Sequence, residues 1–329
     1  MAPRGIGAPN PNPNASPSPS PNQASTTAWF LEGFNYALRM KVDLISLSVG
    51  GPDYRDVPFV AKVRELAAAG ITIISGGGNS GPGHGTLMNP ADDPAVVGVG
   101  GLDENGALAA WSSRGMTTWE LPHGYGRAGI DVVTYGEFWG KAPRGGCQHQ
   151  WGTSVACPVV VGVLALLLSE LPPARRALLL NPAAIKQVLV EAAEPMPRIS
   201  HMEQGMGELR PLQTAEAMRD FAPHLSAIPP RIDLAGTAPD GGDGGGGDGG
   251  AGCEFMWPFC ATPLYVGSQP LVLNLTLLNS RAAISHFARS NPNPNSNPYP
   301  NPDPNPNPNP NSNPNPNQAA AMDTGRRRR

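Results

Sequence analysis

The sequence predicts an α/β domain built on a mostly parallel sheet with helices on both faces. A small β-rich segment is expected to follow it, with disordered tails at either end. Three observations carry this expectation. Short β-rich runs alternate with helical patterns of about a dozen residues, the arrangement in which crossover helices join parallel strands. Glycine (40) and proline (39) make up about a quarter of the 329 residues, and stretches rich in them cannot bury enough apolar surface to offset their ordering entropy. Charged residues reach only 15%, below the roughly 25% of an average globular protein.

Taken in order, residues 1–26 are Asn/Pro/Ser-rich and read as disordered. In the run PNPNPNASPSPSPN at 9–22, alternate residues lack the amide hydrogen that helices and ladders require. The partial domain then spans 27–228. Trp29 to Arg39 places Phe30, Phe34, Ala37 and Leu38 on one helical face. Asp43 to Val49 is a β-rich run stopped by Gly50-Gly51-Pro52. Val57 to Ala69 is helical, with Val60, Val63, Leu66 and Ala67 on one side. Ile71 to Ile74 and Ala95 to Val99 read as strands, and Ser154 to Leu171 and Pro182 to Ala193 as helices. Residues 229–252 are a glycine-rich linker. A β-rich segment begins at 253 and runs to 288. Residues 289–329 hold an Asn-Pro repeat (291–317) and end in Arg326 to Arg329; the repeat favours an extended polyproline II form without core contacts. Binding sites of parallel sheets lie at the carboxyl ends of strands, which points to the loops after Val49 and Ser75.

Several classes are disfavoured. A net charge of −3 and a pI near 6.1 leave no electrostatic footprint for nucleic acid. The opening MAPRGIGAPNPNPN has no apolar core of a secretory signal. The longest apolar run, Pro158 to Leu168, is shorter than a bilayer span and reads as a buried helix. No Cys/His spacing fits zinc, and neither metal nor cofactor is expected. Cys253 and Cys260, seven apart, are the candidate disulfide, with Cys147 a looser one; Cys157 packs as a small hydrophobe. Asn274-Leu-Thr276 is a glycosylation sequon in an alternating apolar run, so it reads as a strand that matches by coincidence.

The most informative string is Trp151-Gly-Thr-Ser-Val-Ala-Cys-Pro158. It sets Ser154 at the head of an apolar helix, where unpaired amides and a partial positive charge favour an oxyanion. A lone serine there is ordinarily only an N-cap, but the full string is more specific. Ile74-Ser-Gly-Gly-Gly-Asn-Ser-Gly-Pro82 directly follows a strand. Its Asn79 can donate to an oxyanion, or can simply occupy a turn. Leu47-Ser-Val-Gly-Gly51 ends another strand.

Together these strings resemble the subtilase serine peptidases. Trp111 to Pro122, Gly124 to Arg127, Asp131 to Gly136, Gly85 to Ala91 and Cys253 to Cys260 are similar to the site-1 protease branch of that family. The resemblance implies a subtilisin-like three-layer fold, with Ser154 as nucleophile and Asn79 as oxyanion donor. It makes Ser48, Val49 and Gly50, with Gly76 and Gly78, the walls that pair with an extended polypeptide substrate. It implies a serine endopeptidase that cleaves protein precursors in the ER or Golgi, although no membrane span is expected in this chain. A subtilase triad runs Asp, His, Ser along the chain. The stretch before Trp29, where the first two would fall, is largely Asn, Pro and Ser, so the fold is expected to be N-terminally truncated and without that Asp and His. Gly83-His-Gly-Thr86 imitates the family's histidine signature but follows Asn79 instead of preceding it, so His84 is rejected as the base. His149 is less favoured still, and His123, His201, His224 and His286 read as surface or loop residues. The rival reading is a catalytically inactive, peptide-binding pseudoprotease.

Overall fold

A computed structural model describes residues 26–52, 54–120, 126–141, 145–231 and 272–281. All of them belong to one compact unit, Met1–Ile284. The expectations for the Asn-Pro repeat, the glycine linker and the Cys253–Cys260 pair lie outside the described residues.

Each helix predicted from periodicity is present. Helix α1 (Thr27–Met40) turns Phe34 inward, and α2 (Val57–Ala68) buries Val63 and Leu66. Asp56 starts α2 by accepting a hydrogen bond from Phe59 N at 3.3 Å, and its second oxygen takes the Thr27 hydroxyl at 2.5 Å. One carboxylate therefore caps one helix and ties it to the start of another.

Strands β1 (Leu44–Leu47), β2 (Thr72–Gly76), β3 (Val97–Leu102) and β4 (Val132–Tyr135) form a parallel sheet in sequential order. Side chains alternate across it, as the period of two demands. Ile73 joins Phe34, Leu47, Val63 and Leu66 on the α1–α2 face. Ile74, Val97, Val99 and Val132 meet α3 (Thr153–Glu170) and α5 (Pro182–Ala192) on the other. The result is three layers, helices over sheet over helices.

One antiparallel hairpin was not anticipated, and the strand expected at the sequon finds a distant antiparallel partner. Strands β5 (Glu137–Lys141) and β6 (Cys147–Trp151) pair immediately before α3. Strands β7 (Leu225–Ile228) and β8 (Thr276–Asn279) join the end of the domain to the sequon region. Short helices α4 (Pro173–Leu179), α6 (His201–Gln204) and α7 (Pro211–Asp220) complete the order.

Helix α3 corrects one expectation. The apolar run belongs to an 18-residue helix that is long and apolar enough to cross a membrane. It lies against all four strands of the sheet, yet keeps Val159 and Leu166 exposed on its outer side. His201 is a second correction. Read as a surface or loop residue, it is 3% exposed, held where the ring nitrogen Nδ1 meets the Gly205 carbonyl at 2.8 Å.

Candidate functional site

Three segments meet at the carboxyl edge of the sheet. Ser154 lies in the first turn of α3 and is exposed. Its hydroxyl donates to the Ser48 carbonyl at 3.4 Å, while the Ser48 hydroxyl donates to the Ser154 carbonyl at 3.1 Å. The strand end after β1 is thereby clamped to the serine helix.

Asn79 follows β2 and caps α3 from outside. Its Oδ1 accepts from Thr153 N at 2.8 Å and from the Thr153 hydroxyl at 3.1 Å. That hydroxyl in turn accepts from Gly78 N at 3.1 Å. Gly152 has a left-handed φ of 126°, and a Cβ there would come within 2.8 Å of Asn79 Nδ2. Only glycine allows this approach.

The capping bond decides what remains available. Thr153 N is taken by Asn79 and Val155 N by the Gly152 carbonyl. Among the described residues, Ser154 N and Asn79 Nδ2 bond to no protein acceptor. Two N–H groups are thus left without a protein acceptor close to the N-terminus of α3, Ser154 N within its first turn and Asn79 Nδ2 beside Gly152.

The segments after β1 and β2 are joined by residues that had been given no role from sequence. Gly51 and Asn89 exchange both backbone hydrogen bonds, at 3.0 and 2.8 Å, and Met88 N donates to the Gly77 carbonyl at 3.0 Å. A Cβ on Gly50 would lie 3.2 Å from Met88 Cβ, and one on Gly78 would lie 2.9 Å from Met88 Cγ. Met88 therefore packs against both the Ser48–Gly50 and the Gly76–Gly78 segments. The signal available beforehand was the GTLMNPA string, whose family likeness was noted without a role.

Beneath the serine, Cys157 is fully buried. Its thiol donates to the Ile74 carbonyl at 3.2 Å and lies 3.7 Å from Ser46 Oγ. Burial pushes the thiol pKa up, against hydrogen bonds from Ser46 and Ser48, so it stays protonated and inert at neutral pH. Cys147 is an exposed free thiol.

No described histidine hydrogen-bonds to Ser154 Oγ. His84 lies beside Arg114 and Gly115 in a loop. His149 stands across the β5–β6 hairpin from Trp139, with Nε2 3.5 Å from Glu137. His123 and His286 fall outside the described residues. Among the described residues no cluster of three or more His, Cys, Asp or Glu is placed to hold a metal ion.

Comparison with known proteins accords with this geometry. A family model described as the subtilase family matches residues 14–210, and one described as the third Ig-like domain of MBTPS1 matches residues 250–300. The chain is 46% identical over 265 residues to subtilisin-like protease SBT6.1 of Arabidopsis thaliana, covering 80% of this chain and 24% of that one. It is 46% identical over 259 residues to the membrane-bound transcription factor site-1 protease of Homo sapiens, covering 78% and 23%. The chain thus spans about a quarter of the length of these curated relatives. Among solved structures, the patellamide maturation protease PatA is similar with a TM-score of 0.51 and 26% identity, over 62% of this chain and 72% of that one.

Proposed function

The chain belongs to the subtilase family, and on that premise we propose that it carries the nucleophile, oxyanion donors and peptide-binding walls of a site-1 protease-like serine endopeptidase. The observation that supports this most is the bond from Thr153 N to Asn79 Oδ1 at 2.8 Å. It fixes the Asn79 amide against the residue before Ser154, so that the donor needs no reorganisation when charge develops.

In the reaction, a polypeptide lies extended between Ser48–Gly50 and Gly76–Gly78, adding its strand to theirs. Ser154 Oγ forms a bond to the scissile carbonyl carbon as its proton passes to a base. The carbonyl oxygen becomes an oxyanion that accepts from Asn79 Nδ2 and Ser154 N. Collapse of that intermediate breaks the C–N bond, the amine leaves with a proton, and water then hydrolyses the acyl-serine. The walls, nucleophile and donors are assigned to this chain. The base is not, because among the described residues Ser154 Oγ hydrogen-bonds to the Ser48 carbonyl and to no histidine. The second reading, a peptide-binding pseudoprotease, rests on that same observation. The likeness to a protease named for a membrane-bound transcription factor supports a place in the secretory pathway, at the ER or Golgi.

A fluorophosphonate probe tests the assignment, since labelling requires an activated hydroxyl. The chain as it stands is expected to label negligibly. Stoichiometric labelling lost in Ser154→Ala but kept in both His84→Ala and His149→Ala would show that another base acts here. Loss in one of the histidine variants would identify that histidine as the base.

A further inference from the structure

The β5–β6 hairpin is a two-stranded ribbon that pairs with no other described strand. Gly152 N donates to the Gly136 carbonyl at 2.9 Å and closes its base. From there the residue pairs run outward from Glu137–Trp151 to Lys141–Cys147, and no residue of either strand is fully buried.

Successive side chains of a strand point to opposite faces, and here both faces are aromatic. One carries Trp139, His149 and Trp151, with Trp139 and His149 rings 5.3 Å apart and Trp151 5.7 Å from Trp111. The other carries Phe138, whose ring lies across Gly140 towards the turn; a Cβ on Gly140 would come within 2.7 Å of Phe138 Cε2. Glu137 ties the base down. One of its oxygens accepts from Trp111 Nε1 at 2.7 Å, and the other lies 3.5 Å from His149 Nε2. Further out, Trp139 is 66% exposed and Phe138 49%. Large rings left side by side in water mark an interaction surface.

Two observations decide what covers it. Phe138 and Trp139 straddle the open edge of β5, one on each face. A glycan stacked on one ring, or a protein packed against one face, would leave the other ring in water. A fluid surface that meets the β5 edge covers both. The second observation is charge. Between Phe138 and Trp151 the sequence carries Lys141 and Arg144 and no Asp or Glu, and Lys141 is exposed on β5 itself. Aromatic rings with a neighbouring cation suit the interfacial zone of a bilayer, where rings sit among the headgroups and the cation meets anionic lipid.

We propose that the β5–β6 hairpin docks edge-on against an anionic membrane surface. Phe138 and Trp139 enter the headgroup layer on either side of β5, and the Lys141 ammonium lies at the same depth against lipid phosphates. The contact is peripheral and spans nothing. Trp151 is followed directly by Gly152 and α3, so docking sets how the head of that helix faces the bilayer. The inference goes beyond the peptidase reading, since it concerns where the domain sits and not whether Ser154 reacts.

The test is co-sedimentation of the full chain with vesicles of phosphatidylcholine alone, and with vesicles in which about a third of the lipid is phosphatidylserine. The chain should bind the anionic vesicles well above the neutral ones, and added salt should weaken that binding. Phe138→Ser combined with Trp139→Ser should lower the partition coefficient about tenfold. Lys141→Ala should lower it about fivefold, on the anionic vesicles only. Melting temperatures measured beside these show that the fold is kept. Should the double variant fail to fold, Trp139→Ser alone replaces it and should lower binding several-fold. Absence of binding to anionic vesicles overturns the proposal, as does equal binding to neutral ones. Binding that the hairpin variants leave unchanged belongs to another part of the chain, such as Arg326 to Arg329, and overturns it too.

Discussion

The Ser48 hydroxyl donates to the Ser154 carbonyl at 3.1 Å, the carbonyl that a residue four positions on would normally serve. That residue is Pro158, which lies inside α3 and has no N–H to give. A side chain from another segment thus repairs the helix at the point where proline interrupts it. The repair fastens the segment after β1 to the backbone of Ser154.

Ser48→Ala is therefore expected to lower stability by about 1 kcal/mol, the usual net worth of one hydrogen bond. In a Pro158→Ala background the helix serves its own carbonyl, and the cost of Ser48→Ala should shrink. Urea unfolding of the four proteins of this double-mutant cycle measures the difference.

Asn79 separates capping from donation. Asn79→Ala removes the acceptor for Thr153 N and should cost about 0.5–2 kcal/mol, as lost N-caps do. Asn79→Asp keeps an acceptor at the helix N-terminus, and its charge is favourable there, so stability should be retained. It loses the amide donor, and in any form of the enzyme that turns over substrate the rate should fall about 10²–10³-fold. Melting temperature and kcat measured on both variants check the split.

Lys186 is 3% exposed, and its ammonium donates to the Val96 carbonyl at 2.7 Å and the Pro94 carbonyl at 3.2 Å while pairing with Asp131 at 2.8 Å. Burial pushes its pKa down, and Asp131 opposes that shift. Lys186→Met leaves Asp131 buried without its partner and should destabilise by about 3–5 kcal/mol. Lys186→Met combined with Asp131→Asn should recover part of the loss. Chemical denaturation of both proteins decides it.

Two histidines should bend the stability profile in opposite directions. Burial holds the His201 pKa below the ordinary value of about 6.5, against the Gly205 carbonyl. Its contribution is present above that value and is lost as pH falls through the folded pKa. The Ala222 carbonyl, with Glu191, raises the His224 pKa despite slight burial. Its contribution is full below about 6.5 and is lost as pH rises through the folded pKa. Melting curves from pH 5 to 8 should show His201→Asn flattening the acid limb and His224→Gln removing the decline on the neutral side.

Features written in contiguous residues were legible beforehand. Strand β2, the glycine loop after it and Asn79 form one string, and so do Gly152 to Pro158. The helical stripes of α1 and α2 follow from spacing alone. What escaped depends on encounters between distant segments. Lys186 meets Val96 across 90 positions, and Met88 earns its place only because two glycine walls converge on it. The β5–β6 hairpin was missed for a different reason. Its strands, EFWGK and CQHQW, have no fully buried residue and so no apolar alternation to read. His201 was misread because nothing local distinguishes a buried imidazole from an exposed one; its burial is set by the fold around α6.

The buried thiol in α3, three residues on from Ser154, gives the molecule an internal clock. Cys157 is sealed at 0% exposure while Cys147 is open to solvent. A brief pulse of iodoacetamide followed by peptide mapping should mark Cys147 at once. Cys157 should be marked only as often as α3 lifts from the sheet, because a reagent must wait for that opening. The ratio of the two alkylation rates then reports how frequently α3 parts from the sheet, with no residue of the protein replaced.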